Sequence, residues 1–212
     1  MPFFFKALVV LFTIVDPVGL VPVVISLTAD MPPALRRATI TRAVLIAAGV
    51  MAAFGAFGPQ IFAYLGVTSE AFSIAGGALL FLVAIDMLFG RPSGVRETPR
   101  EEQEARSRED ASVAAFPLAI PLIAGPGTIT TLILLVGSAA GRPLDRLAIV
   151  VAAAITLAAA WIAMRLSITI EKRIGTTGIL VLSRVLGMLL AAVAAQFILN
   201  GIATFLRHTG AP

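Results

Sequence analysis

A carboxylate stands in the middle of the first apolar run of this chain. Asp16 opens the stretch DPVGLVP, residues 16 to 22, and Pro17, Gly19 and Pro22 follow it closely. A later apolar run holds IPLIAGPGTITT, residues 120 to 131, where Pro121, Gly125, Pro126 and Gly127 gather the same helix breakers and Thr128, Thr130 and Thr131 add hydroxyls. Each proline removes a backbone donor and frees a carbonyl one turn earlier, and each glycine lets the backbone leave helical geometry. These groups offer binding chemistry: an anionic acceptor, freed carbonyls, hydroxyls and helix-start amides. Bond-breaking chemistry has no comparable set. Asp86 lies near the end of its own apolar run, at a different depth from Asp16, and no GxGD, HExxH or nucleophile-elbow motif occurs. With no cysteine and a single histidine, His208, near the C-terminus, no metal centre or cofactor is expected and the chain is read as a non-enzyme. The absence of a GxxxxGK[ST] loop disfavours an ATP-driven pump.

The elements that must position these residues follow from composition. Hydrophobic residues make up 58% and charged residues 13%, against about 45–50% and about 25% in soluble domains. The chain is therefore an integral membrane protein. Six stretches, roughly 3 to 28, 40 to 63, 68 to 89, 113 to 138, 146 to 168 and 178 to 205, reach the roughly 20 apolar residues that a helical span needs. They are continuous rather than alternating, which argues against strands and a barrel. Cleavage of the first run as a signal peptide is disfavoured, because DPVGLVP interrupts it and no clean small-residue cleavage site follows.

Charge sets the expected orientation. The connections after the first, third and fifth spans carry Arg36, Arg37, Arg42, Arg91, Arg96, Arg100, Arg106, Arg108, Arg165, Lys172 and Arg173, whereas the opposite side has Lys6, Arg142, Arg146 and Arg207. Basic loops stay in the cytoplasm, so both termini should face outward from the cell (inner) membrane. The net charge of +4 forms no continuous patch, which points to anionic lipid as the neighbour and not to nucleic acid. The mixed-charge interval 90 to 111 reads as a solvated cytoplasmic linker between two halves, 1 to 89 and 112 to 212.

Those halves resemble each other. Pro17 and Pro126 are 126 − 17 = 109 apart, and Gly77 and Gly187 are 187 − 77 = 110 apart, with Asp86 and Gln196 also matched. A near-constant offset through three spans indicates an internal repeat, and an odd number of spans per unit places the two copies in opposite orientations. The fold expected is an all-α membrane protein of six spans, two inverted three-helix repeats with spans 1 and 4 broken. Secondary transporters built this way bind solute near the midplane, between the broken helices. A carboxylate at that depth costs at least about 2.5–3.5 kcal/mol on insertion scales, which favours a use for Asp16. Glycine pairs such as Gly76 and Gly77 read as close-packing surfaces. Asp86 and Gln196, near the ends of their spans, are secondary candidates.

The motifs DPVGLVPVVISLT, PLAIPLIAGPGTITTLILL and IAGGALLFLVAIDML resemble the MarC family of bacterial and archaeal inner-membrane proteins, and the similarity covers essentially the whole chain. The resemblance implies six spans and movement of small neutral amino acids such as glycine and alanine, with export by some members. It places the family motifs on Asp16, Pro17, Gly19 and Pro22, and on Pro117, Pro121, Gly125, Pro126 and Gly127. Ser73 stands where arginine is expected, leaving Arg184 without its mate. A zwitterion needs an acceptor for its ammonium and donors for its carboxylate. Asp16 with freed carbonyls can supply the first, and amides of a half-helix starting near Gly127 and Thr128 the second. Asp16 is also the place for a coupling proton or cation. The alternatives are a wider-specificity drug or metabolite efflux protein of the same fold, and a membrane protein that transports nothing.

Overall fold

The computed structural model describes residues 2–28, 31–89 and 114–208, and among them every regular element is helical. The interval 90 to 111, expected as a charged linker, lies outside the described residues. The chain forms α1 (Pro2–Val15), α2 (Pro17–Leu27), α3 (Pro33–Leu65), α4 (Ser69–Phe89), a π-helical α5 (Ala114–Ile123), α6 (Pro126–Ser138) and α7 (Pro143–His208). Among the described residues five stretches are long and apolar enough to cross a membrane, and Pro117–Ile123 of α5 with α6, bent by 52° at their junction, is a sixth if the bent pair is one span. Large apolar side chains such as Leu45, Leu134, Val150 and Leu199 face outward along these spans. A bilayer solvates such a surface, and water does not.

The first span is broken at one residue only. Pro17 has no amide and disfavours helical geometry in its predecessor, so Asp16 turns left-handed, at φ 46° and ψ 69°. Hydrogen bonds still bridge the break, from Asp16 N to the Phe12 carbonyl at 3.0 Å and from Leu20 N to the Asp16 carbonyl at 3.1 Å. Phe3–Leu27 consequently remains a single span. Pro22, counted among the breakers in the sequence, lies inside α2 without ending it. The second span is longer than its apolar core: it starts at Pro33 and stops at Gly66, whose φ of 62° suits glycine.

The last two spans differ most from expectation. A connection was expected between 168 and 178, yet α7 is helical throughout its 66 residues. It nevertheless reverses direction. Arg36 Nη2 donates to Ser167 Oγ and Arg165 Nη2 to Thr41 Oγ1, so α3 runs antiparallel to the first half of α7. Gly187 lies against the Ala84 carbonyl and Gly201 against that of Glu70, so α4 runs antiparallel to the second half. Were α7 straight, Ser167 and Gly201 would be about 51 Å apart along its axis, and α3 would lead about 44 Å the opposite way. The three residues joining α3 to α4 span only about 10 Å. The axis therefore folds back between Ser167 and Arg184, leaving two spans, Pro143–Ser167 and Arg184–Arg207.

Two apolar clusters hold the bundle. The larger joins α1, α2, α3, α5, α6 and the first half of α7 through residues such as Leu11, Val24, Ile40, Leu118 and Met164. The smaller joins Val23 of α2, Leu80 and Val83 of α4, and Leu190 and Ala194 of α7, with Leu27 and Leu122 touching both clusters. At the α4–α7 seam the contacts are reciprocal. A Cβ on Gly77 would stand 2.8 Å from the Ala194 carbonyl oxygen and 2.8 Å from Ile198, and one on Gly187 would stand 3.0 Å from the Ala84 oxygen and 3.0 Å from Leu88. Gly77 and Gly187, Ala84 and Ala194, and Leu88 and Ile198 each differ by 110 in number. Residue i of one helix meets residue j of the other and the converse holds, the contact pattern of a two-fold pair.

Candidate functional site

The starts of α2 and α6 face a common cavity. At α2, Asp16 Oδ1 accepts a hydrogen bond from the Gly19 amide at 3.1 Å and caps the helix, with Pro17 at the first helical position. A Cβ on Gly19 would collide with that same carboxylate. Since Pro17 has no amide, the Thr13 carbonyl loses its usual partner. One edge of the cavity thus carries a charged acceptor, Asp16.

At α6 the arrangement differs. Gly125 takes the cap position with φ −77° and ψ 173° and supplies no side-chain cap, and Pro126 again occupies the first helical position. The first helical bond runs from Ile129 N to the Gly125 carbonyl at 2.9 Å, so the Gly127 and Thr128 amides precede the hydrogen-bonded ladder of α6. Glycine is required at 125 because a Cβ there would run into the Pro121 carbonyl oxygen. Thr128 is only 2% exposed and lines the cavity. This edge therefore presents donors, reinforced by the positive end of the helix dipole.

The cavity between them measures about 220 Å³. Asp16, Gly19, Gly125, Gly127 and Thr128 all line it. Asp16 and Gly125 differ by 125 − 16 = 109, as do Gly19 and Thr128. Apolar walls come from Leu80 of α4 and from Leu190, Val193 and Phe197 of α7, and Asp16 is the one ionisable residue among those lining the cavity. Pockets for drug-sized ligands measure about 300–1,000 Å³, so this space suits a smaller solute.

The other candidates stand elsewhere. Pro17, Pro22, Pro126, Thr130 and Thr131 are not among the lining residues. Pro126 packs on α4 at Gly76, while the Thr130 hydroxyl donates to the Pro126 carbonyl at 2.8 Å within its own helix. Gln196 is exposed and donates to Asn200 Oδ1 at 2.7 Å. The Asp86 side chain lies outside the described residues. Conversely, the aliphatic walls and Phe197 carry no mark in the sequence that separates them from other apolar residues. Only the repeat offset would have paired Leu80 with Leu190, at 190 − 80 = 110.

Residues 1–206 match the model of a family described as MarC family integral membrane protein. A membrane protein of Methanocaldococcus jannaschii is 36% identical over 200 residues, covering 94% of this chain and 96% of its own. The membrane protein YhcE of Escherichia coli is 33% identical over 201 residues, covering 95% and 92%. The membrane protein YvbG of Bacillus subtilis is 32% identical over 192 residues, covering 91% and 90%. No solved structure matches the chain.

Proposed function

We infer a function from one established premise: this chain belongs to the MarC family of integral membrane proteins. On our reading it is a secondary transporter of small neutral amino acids such as alanine and glycine, working by alternating access, with export as its direction. The observation that carries the reading is the cavity of about 220 Å³ between two unequal helix starts, with the Asp16 carboxylate on one side and the Gly127 and Thr128 amides on the other. An ammonium would meet Asp16 Oδ2. A carboxylate would meet the bare amides and the Thr128 hydroxyl, and a short side chain would rest on Leu80 and Leu190.

Inverted repeats of residues 1 to 89 and 112 to 212 are part of the same proposal, supported by the reciprocal Gly77 and Gly187 contacts. Rocking one half on the other would open the cavity to alternate sides. Both termini are assigned to the outside of the inner membrane on the distribution of basic residues. A coupling proton or cation is placed at Asp16. A small cavity with one charge favours this reading over wide-specificity efflux.

Counterflow in proteoliposomes tests it, with unlabelled alanine inside and labelled alanine or glycine outside. Wild type should accumulate label and Asp16→Asn should not. Absence of counterflow with every small neutral amino acid, from folded protein, would reject the assignment and turn the search to cationic dyes.

A further inference from the structure

We propose that Phe197 sets the largest side group the cavity admits, and so selects glycine and alanine over leucine and phenylalanine. The proposal rests on the transporter reading for its substrate class, though the steric claim stands on geometry alone. Phe197 is the only aromatic residue among those lining the cavity. Its ring covers the first turn of α6: the Cε1 and Cζ atoms lie 2.8 and 3.0 Å from where a Cβ on Gly127 would stand, with Ile14 Cγ2 at 3.5 Å. Phe197 therefore narrows the approach to the α6 amides.

The ring cannot readily be carried away by its helix. Ser73 Oγ donates to the Phe197 carbonyl at 3.0 Å, tying this point of α7 to α4. The flanking residues Ala194 and Ile198 lie against Gly77. The other walls named, Leu80, Leu190 and Val193, are aliphatic and smaller, so the aromatic ring is the element whose removal enlarges the space most. An apolar pocket discriminates by about 10–200-fold for one methylene, which makes a single wall residue sufficient for the selection.

Counterflow with glycine, alanine, leucine and phenylalanine is the first arm of the test, on wild type, Phe197→Ala and Phe197→Leu. Wild type should favour alanine over leucine by at least about tenfold, and Phe197→Ala should reduce that ratio below about threefold. Phe197→Leu keeps an apolar wall, should fold where the smaller residue does not, and should fall between. Variants that still move alanine with an unchanged ratio would overturn the proposal. The second arm needs no amino acid: Thr128→Cys is labelled with small and bulky methanethiosulfonates, with Phe197 present or replaced. The bulky reagent should lag at least about tenfold with Phe197 in place, and the two rates should converge in Phe197→Ala. Equal lag in both backgrounds would sink the size limit whatever the solute. Convergence in a protein that moves none of the four amino acids would uphold the size limit and reject only the substrate class.

Discussion

The first turns of α2 and α6 are built to one plan and finished differently. Each opens with a cap residue followed by proline, at Asp16–Pro17 and at Gly125–Pro126, and each borders the same cavity. At α2 the protein supplies its own anion to the helix start, since Asp16 Oδ1 already accepts the Gly19 amide. At α6 the equivalent position cannot hold any side chain, because the Pro121 carbonyl oxygen occupies the place of a Cβ. A shared backbone device thereby yields an acceptor on one side and donors on the other. On the transporter reading proposed above, an acceptor facing donors suits a solute with two unlike ends.

The difference is most sharply broken by forcing a side chain onto α6. Gly125→Val should cost about 3 kcal/mol, because the Pro121 backbone cannot rotate aside. The measurement is thermal unfolding in detergent, and a wild-type melt would mean that the two helix starts are sterically equivalent. Where the halves do match, at the α4–α7 seam, Gly77→Ala and Gly187→Ala should each lose about 2 kcal/mol and agree within about 0.5 kcal/mol. Losses that differ by more than about 1 kcal/mol would contradict reciprocity.

Asp16 separates capping from charge. Asparagine caps helices as well as aspartate and tolerates the left-handed backbone, so Asp16→Asn should unfold within about 0.5 kcal/mol of wild type. Its alanine affinity should nevertheless drop by about 2 kcal/mol, roughly thirtyfold, through loss of a charged hydrogen bond. Asp16→Ala should show the same affinity loss and an additional stability loss of about 1 kcal/mol. Calorimetric binding beside unfolding curves resolves the two, and unaltered affinity in both variants would leave Asp16 a cap alone. The smallest effect belongs to the donor side. Thr128→Val should weaken alanine binding by about 1 kcal/mol, whereas Thr130→Val should change it by less than about 0.5 kcal/mol, since that hydroxyl is spent within its own helix. Equal effects from both threonines would remove the distinction drawn between cavity and helix hydroxyls.

Much of this was readable along the chain. Continuous apolar runs marked the spans, because in lipid the backbone must satisfy its own hydrogen bonds and only long apolar helices do so. Pro17 and Pro126 marked the starts of the half-helices, since the missing amide acts within one turn. Pro22 was misleading: the same chemistry signals a break, but the flanking turns of α2 keep the helix intact. The fold-back of α7 was legible as two spans but not as one helical element, because the apolar run stops at the charged residues 171 to 173 while the helical backbone continues.

The sequence by itself determined membrane residence, an all-helical multi-pass fold, the two helix starts and the family, all properties carried by composition and by neighbours in the chain. Tertiary structure alone decided that Thr128 lines the cavity while Thr130 and Thr131 do not, and that Leu80, Leu190 and Phe197 form its walls. It also decided that Asp16 is partly committed to the Gly19 amide. The physical reason is that lipid accepts apolar side chains on every face of a helix, so hydrophobicity no longer distinguishes inside from outside. In such a solvent the inner face is set by close approach between helices, and close approach is a property of three dimensions.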